Sequence, residues 1–173
     1  MKSDDAPECG LTAEHYFLGP DQARQIWLRA KTDREHPVLL TRYDRDADLV
    51  FSPDCGMIAM NDNLGSDVSE VRLFTKVEGV VYKADTANVT SLAWAALERV
   101  SGLTHPLRLG HTYVNAITWS DSSKAVLLRV WGHTDERNQV SAWYCVYDRS
   151  TGRVSTNLSL MNRGAVIVNG RAR

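Results

Sequence analysis

The chain has 173 residues, which is enough for one domain whose hydrophobic core needs no disulfide or metal for stability. Lysine and arginine number 20, and aspartate and glutamate number 21, so the net charge of −1 provides no electrostatic attraction to nucleic acid or to an anionic membrane. No run in the sequence approaches the roughly 18 apolar residues of a spanning helix. We therefore expect neither nucleic-acid binding nor membrane insertion.

The first third of the chain predicts one short helix followed by a strand. The Gly19-Pro20-Asp21 segment is typical of a helix start, because proline suits the first helical position. Ile26 and Ala30 then lie on one face of a helix that we expect to end near Lys31. After His36 the hydrophobic period changes to two, which indicates that β-structure begins there.

Apolar residues that alternate with polar ones predict two antiparallel meanders, separated by a helix. We expect the first meander at about residues 38–83 and the second at about 113–160. A last edge strand is expected at 165–168. The predicted strands are 38–40, 49–51, 57–60, 71–74 and 79–82 in the first meander, and 113–119, 124–131, 140–147 and 153–160 in the second.

The helix between the meanders has the clearest pattern in the chain, at about residues 88–101. Asn88 is a typical N-cap, and Gly102 provides a C-terminal stop. Apolar residues recur at helical spacing, so one face of the helix should cover a sheet. These residues are Val89, Leu92, Ala93, Ala96, Leu97 and Val100.

A strand-turn-strand phrase occurs in both predicted meanders. The first copy, Phe51-Ser52-Pro53-Asp54-Cys55-Gly56-Met57-Ile58-Ala59 followed by Val71-Arg72-Leu73-Phe74, resembles the blade phrase of TolB-like and related β-propellers. A looser copy covers about residues 117–152, with Asp121 in place of Pro53 and without the turn glycine. The resemblance implies blade-like sheets and leaves function open, because propellers serve as enzymes and as scaffolds.

Two copies are too few for a ring, which needs roughly four to eight blades. The chain is similar in this respect to small bacterial proteins with two blade-like sheets. We therefore predict an α+β fold that is mainly antiparallel β: a single domain over residues 1–173 with two blade-like meanders and an intervening amphipathic helix, not a closed propeller.

Two predicted loops contain the candidate contact residues. Residues 61–70 are rich in oxygen side chains, which suit a hard cation such as calcium, a ligand or partner, or a hairpin whose Asn and Asp side chains bind their own backbone. Residues 131–139, where the second copy is longer, combine a histidine with an acidic pair, which suits a metal, a general base or a solvated loop. The predicted ligand- or partner-binding residues are Asn61, Asp62, Asp67, His133, Asp135 and Glu136.

Three cysteines lie far apart, without the spacing of a zinc site. Cys145 alternates within a predicted strand, so we expect it to be packed. A disulfide between Cys9 and Cys55 is left open, since it depends on export of the protein. Of the five tryptophans, Trp119, Trp131 and Trp143 lie in strand patterns and are expected in the core.

These observations favour a non-enzymatic binding protein of bacterial type, for instance an inhibitor or immunity-type protein whose partner is another protein. The alternative is a small metal-dependent hydrolase centred on His133 and the acidic loop residues. No catalytic residue, metal ligand or cofactor is predicted, and the oligomeric state is left open. The N-terminus carries no signal-peptide pattern, which predicts a soluble cytoplasmic protein; the alternative is a periplasmic protein whose leader has been removed.

Overall fold

The computed structural model describes residues 2–19, 23–101, 109–134 and 138–169. Over these residues the chain is mainly antiparallel β-structure with one α-helix, which confirms the predicted fold class. The strands form a four-stranded sheet and a nine-stranded sheet, and neither closes into a propeller. The elements are β1 (Lys2–Ala6), β2 (Leu11–Tyr16), β3 (Arg24–Ala30), β4 (Asp33–Tyr43), β5 (Asp46–Phe51), β6 (Met57–Asn63), β7 (Val68–Glu78), β8 (Val81–Ala84), α1 (Val89–Ser101), β9 (His111–Trp119), β10 (Ala125–His133), β11 (Asn138–Asp148), β12 (Arg153–Ser155) and β13 (Val166–Asn169).

The first four strands form an antiparallel sheet in chain order, which we call the N-terminal sheet. The predicted helix from residue 19 to about residue 31 is wrong, because residues 24–30 form β3. Ile26 and Leu28 are fully buried and Trp27 between them is not, so a period of two governs this segment. The strand predicted at 38–40 also belongs here, since β4 pairs with β3.

The nine-stranded sheet consists of two meanders that lie side by side. The first meander contains β5 to β8, and the second contains β9 to β12. They meet where β7 runs parallel to β9, at the pairs Val68 with Thr112 and Ser69 with Tyr113. The expected edge strand is present as β13, which pairs with β11.

The first meander is the middle layer of the molecule. Strand β6 is buried almost throughout, because its side chains alternate between two hydrophobic cores. Met57 and Ala59 belong to the core shared with α1 and the second meander. Ile58 and Met60 belong to the core shared with the N-terminal sheet. Enclosure on both faces explains the continuous apolar run from Met57 to Met60.

Helix α1 covers the core that the two meanders share. The Asn88 side chain accepts a hydrogen bond from the Ser91 N–H at 2.9 Å, which confirms the predicted N-cap. The Thr90 hydroxyl accepts a bond from the Val71 N–H at 2.8 Å and so fixes the helix start against β7. Across the described residues, α1 included, no helix has the length and apolar character that a membrane span requires. The buried residues of the helix are Val89, Ala93, Trp94, Ala96 and Leu97.

The turns after β5 and β9 have the same hydrogen-bond pattern, around Ser52 and Ser120. In each turn the serine N–H donates to the carbonyl oxygen of the fifth residue after it, and the serine hydroxyl accepts a bond from the N–H of that residue. The two turns also touch, because the Ser123 hydroxyl accepts a hydrogen bond from the Asp54 N–H at 3.0 Å. The turns therefore help to hold the meanders together.

A disulfide joins the N-terminal sheet to the first meander. Cys9, in the turn between β1 and β2, bonds to Cys55, in the turn between β5 and β6, and their Cα atoms lie 5.4 Å apart. This is the pair that the sequence leaves open. Cys145 is a buried free thiol on β11, as predicted, and burial raises its pKa to about 12.

Candidate binding surface

Two of the predicted contact residues lie in a strand and not in a loop. Asn61 and Asp62 belong to β6 and are 7% and 2% exposed, so the loop is confined to residues 64–67. The Asn61 amide donates to the Ala116 carbonyl at 3.0 Å and accepts from the Ala116 N–H at 2.7 Å. These bonds attach the two meanders to each other, which leaves the side chain inaccessible to a partner.

Asp62 is a buried carboxylate that binds within the molecule. Its Oδ2 lies 3.2 Å from Nη1 of Arg72, whose Nη2 donates to the Thr41 hydroxyl at 2.9 Å. Burial raises the pKa of Asp62, and the hydrogen bond and charge of Arg72 act in the opposite direction. The contact ties the first meander to β4. Asp62 is therefore a buried strand residue that binds within the molecule, and its predicted position in a loop is wrong.

Asp67 and His133, two other predicted residues, meet at His111. Asp67 Oδ1 lies 3.1 Å from His111 Nδ1, and the ring of His133 stacks on His111 with centroids 4.4 Å apart. The two predicted loops thus reach the same end of the molecule, through one residue from each. Asp135 and Glu136, the remaining predicted residues, lie outside the described residues.

The histidine pair continues into a row of planar side chains. Tyr113 stacks on Trp131, with centroids 5.1 Å apart and an interplanar angle of 20°. The guanidinium carbon of Arg129 lies 4.9 Å from the centroid of the Trp131 ring. Tyr113 and His111 are also stacked, with centroids 6.4 Å apart. We call this row the aromatic ladder: Arg129, Trp131, Tyr113, His111 and His133.

Strand alternation places the aromatic ladder on the outer face of the second meander. The even-numbered residues of β10 from 126 to 132 are buried, whereas its odd-numbered residues face away from the core. His133 lies directly opposite His111, and Trp131 lies opposite Tyr113. Directly opposed side chains on antiparallel strands are close enough for their rings to stack.

Gly132 allows the strands to approach closely beside the histidine pair. A Cβ atom at this position would overlap the backbone oxygen of His111, which requires a shift of the strands. The glycine requirement therefore comes from the close approach of β9 and β10.

The loop at residues 64–67 is held against the ladder. The Tyr113 hydroxyl donates to the Ser66 carbonyl at 2.6 Å, and the Thr112 N–H donates to the Asp67 carbonyl at 2.8 Å. Asp67 is nevertheless open to solvent, with 55% of its side chain exposed. The carboxylate thus stands at the edge of the ladder in a fixed position.

Two polar atoms on the ladder face have no hydrogen-bond partner within the described part of the chain. They are Oδ1 of Asn115 and Nε of Arg129, which belong to directly opposed residues on β9 and β10. Both atoms are buried. An unpaired buried polar atom costs about 1–3 kcal/mol, so these two groups are not satisfied by the residues that the structure describes.

Sequence reasoning misses much of this surface. Trp119 and Trp143 are 5% and 3% exposed, which confirms that they lie in the core. The same prediction is wrong for Trp131, which lies on the outer face. The prediction needed to decide which alternate residues of β10 face the core. Val130 and Gly132 on either side of Trp131 are buried, so Trp131 faces outwards.

A second polar cluster lies in the N-terminal sheet and has no signal in the sequence. The buried ring of His15 lies between Asp4 and Tyr43, with Nε2 3.0 Å from Asp4 Oδ2 and Nδ1 2.8 Å from the Tyr43 hydroxyl. Burial raises the pKa of Tyr43. A pocket of about 420 Å³ opens beside the cluster and is lined by Lys2, His15, Tyr16, Phe17, Arg24, Tyr43 and Asp46.

Within the described ranges, no group of three or more His, Cys, Asp or Glu side chains is placed to hold a metal ion. Comparison with protein-family models, with curated proteins and with solved structures finds no match to the chain. Its function is therefore inferred from the chemistry of its own surface.

Proposed function

We propose that this chain is a non-enzymatic binding protein of the inhibitor or immunity type, which contacts another protein through the aromatic ladder. The ladder carries the proposal, because it presents partly exposed Trp, Tyr and Arg side chains in one row. These three residue types supply much of the binding energy at protein interfaces. The proposed surface keeps Asp67 and His133 from the sequence prediction and omits the buried Asn61 and Asp62.

The order within the ladder supports a role in binding. Each ring is held by a stacking neighbour, and Tyr113 is also held by its hydrogen bond to Ser66. Immobilising a side chain at an interface costs about 0.5–1.5 kcal/mol, and side chains that are already ordered avoid part of that cost.

The proposal is tested by capturing the partner from the native host and then measuring its binding in purified form. We expect the wild-type chain to retain the partner and Trp131→Ala to lose it. Trp27→Ala is the matched control, because Trp27 is also a partly exposed strand tryptophan but lies on the N-terminal sheet. Equal binding by wild type and Trp131→Ala, with both folded, would assign the partner to another surface.

We also propose that the protein works in an oxidising compartment such as the periplasm. The Cys9–Cys55 disulfide supports this, since disulfides persist in such compartments and are rare in the cytosol. Alkylation of the protein taken directly from its host, followed by mass spectrometry, should label Cys145 alone after unfolding. Labelling of all three cysteines would contradict the proposal.

A further inference from the structure

We propose that His111 and His133 bind a divalent transition-metal ion, such as Zn²⁺, on the outer face of the second meander. The two imidazoles lie on adjacent strands, directly opposite each other, with ring centroids 4.4 Å apart. Imidazole nitrogen suits Zn²⁺, Ni²⁺ and Cu²⁺. This inference goes beyond the proposed function, because it needs no protein partner.

Asp67 gives the site a feature that a chance pair of histidines lacks. A histidine that binds a metal through one ring nitrogen usually donates its other N–H to a carboxylate, which fixes the ring and raises its basicity. Asp67 Oδ1 lies 3.1 Å from His111 Nδ1. The Tyr113 hydroxyl also lies 3.2 Å from His111 Nδ1, and the two contacts together leave Nε2 of His111 as the nitrogen that binds the ion.

Exposure allows His133 to complete the site. Its side chain is exposed at the end of β10, so its ring can rotate from the stacked position towards an ion held by His111. The close approach of β9 and β10 at Gly132 keeps the two histidine backbones together during this rotation. Water fills the remaining coordination positions, so the site binds more weakly than a structural zinc site with four protein ligands.

The chain contains a natural control for a single histidine with a carboxylate. His36 Nδ1 lies 3.0 Å from Asp33 Oδ1, and its side chain is 79% exposed. It thus reproduces the contact between His111 and Asp67 without the stacked second imidazole. If one exposed histidine were enough to bind the metal, His36→Asn would lower the binding. At the proposed site, His36→Asn leaves the binding unchanged.

The experiment is a calorimetric titration of the full chain, free of any affinity tag, with Zn²⁺ alone. We expect one ion to bind to wild type and to His36→Asn, and no binding to His111→Asn or His133→Asn. Asp67→Asn should weaken binding by about 10–100-fold, the usual cost of losing such a carboxylate. Thermal melting checks that each variant is folded, and the exposed His133 provides the test if the His111 variant is not.

The proposal is overturned if wild type binds no Zn²⁺, if His133→Asn binds it as wild type does, or if His36→Asn lowers binding as much as His133→Asn. These outcomes are separate from the test of the proposed function, because the titration contains no partner and the partner assay uses Trp131→Ala. Repeating the partner assay with a chelator measures partner binding in the absence of the metal ion.

Discussion

Asn61 pairs with both backbone groups of Ala116, as a residue on a neighbouring strand would. Its Nδ2 donates to the Ala116 oxygen at 3.0 Å, and its Oδ1 accepts from the Ala116 nitrogen at 2.7 Å. Ala116 lies beside a β-bulge, where the register between β9 and β10 shifts. The amide therefore satisfies a part of β9 where regular pairing is interrupted.

Removal of this amide should destabilise the fold. Asn61→Ala leaves the Ala116 N–H and carbonyl buried without partners, so we expect a loss of about 1–3 kcal/mol in the free energy of unfolding. Urea denaturation followed by circular dichroism measures it. Asn63→Ala is the control, because Asn63 lies at the end of the same strand and is less buried. Equal losses for the two variants would show that the paired amide has no special role.

Reduction of the disulfide should lower stability strongly. Cys9 and Cys55 are separated by 46 positions, and the loop-entropy relation gives about 4 kcal/mol for a cross-link of this span. We expect the melting temperature of wild type to fall on addition of a reductant. The double variant Cys9→Ala/Cys55→Ala should melt at the lower temperature with or without reductant. A wild-type melting temperature that does not change when the disulfide is fully reduced would refute this expectation.

A methyl group at position 132 should force β9 and β10 apart. Gly132→Ala places a Cβ atom against the backbone oxygen of His111, and overpacking of this kind costs about 1–3 kcal/mol. Chemical denaturation measures the loss. Gly110→Ala is the matched control, since a Cβ atom at Gly110 meets nothing within 4 Å. A Gly132 variant as stable as the Gly110 variant would mean that the strands accommodate the methyl group freely.

Asp54 should make stability depend on pH in the acid range. The Ser52 hydroxyl donates to Asp54 Oδ1 at 2.7 Å and, with the Gly56 N–H, holds the pKa of Asp54 below its ordinary value of 3.8. A lowered pKa stabilises the fold above that ordinary value, and the contribution disappears as the pH falls through the pKa of the folded state. Asp54→Asn lacks this contribution at every pH.

The measurement is a series of melting curves for wild type and Asp54→Asn from about pH 6 down to about pH 2. We expect wild type to be the more stable near neutrality, and the difference between the two melting temperatures to shrink below pH 4. Asp121→Asn, an exposed substitution in the second turn, is the control and should follow wild type. A difference that stays constant over the whole range would exclude Asp54 as the source.

Local patterns predict the second half of the chain well. Helix α1 follows from its periodicity and the Asn88 cap. The alternation of apolar residues gives most strands of both meanders, but the strand predicted at 153–160 ends at Ser155 as β12. The helix predicted at residues 19–31 is wrong because a typical helix start and two apolar residues at helical spacing precede or lie in a segment that forms strand β3. Pairing with β2 and β4 overrides that local preference.

The surface is predicted less well, because tertiary contacts decide which polar side chains remain exposed. Asn61 and Asp62 have the composition of a loop, yet β9 and Arg72 provide partners that draw them into the interior. Asp67 and His133 stay exposed at one end of the molecule, and their common neighbour His111 follows from the register of β9 and β10. The resemblance to TolB-like blades stays a prediction.

Strand β6 separates the two hydrophobic cores of the molecule. Ile58 touches one core and Ala59 the other, so the interior beneath the N-terminal sheet and the interior beneath the second meander are separated by the thickness of a single sheet. A change of side-chain volume in one core therefore acts on the other core through the backbone of β6.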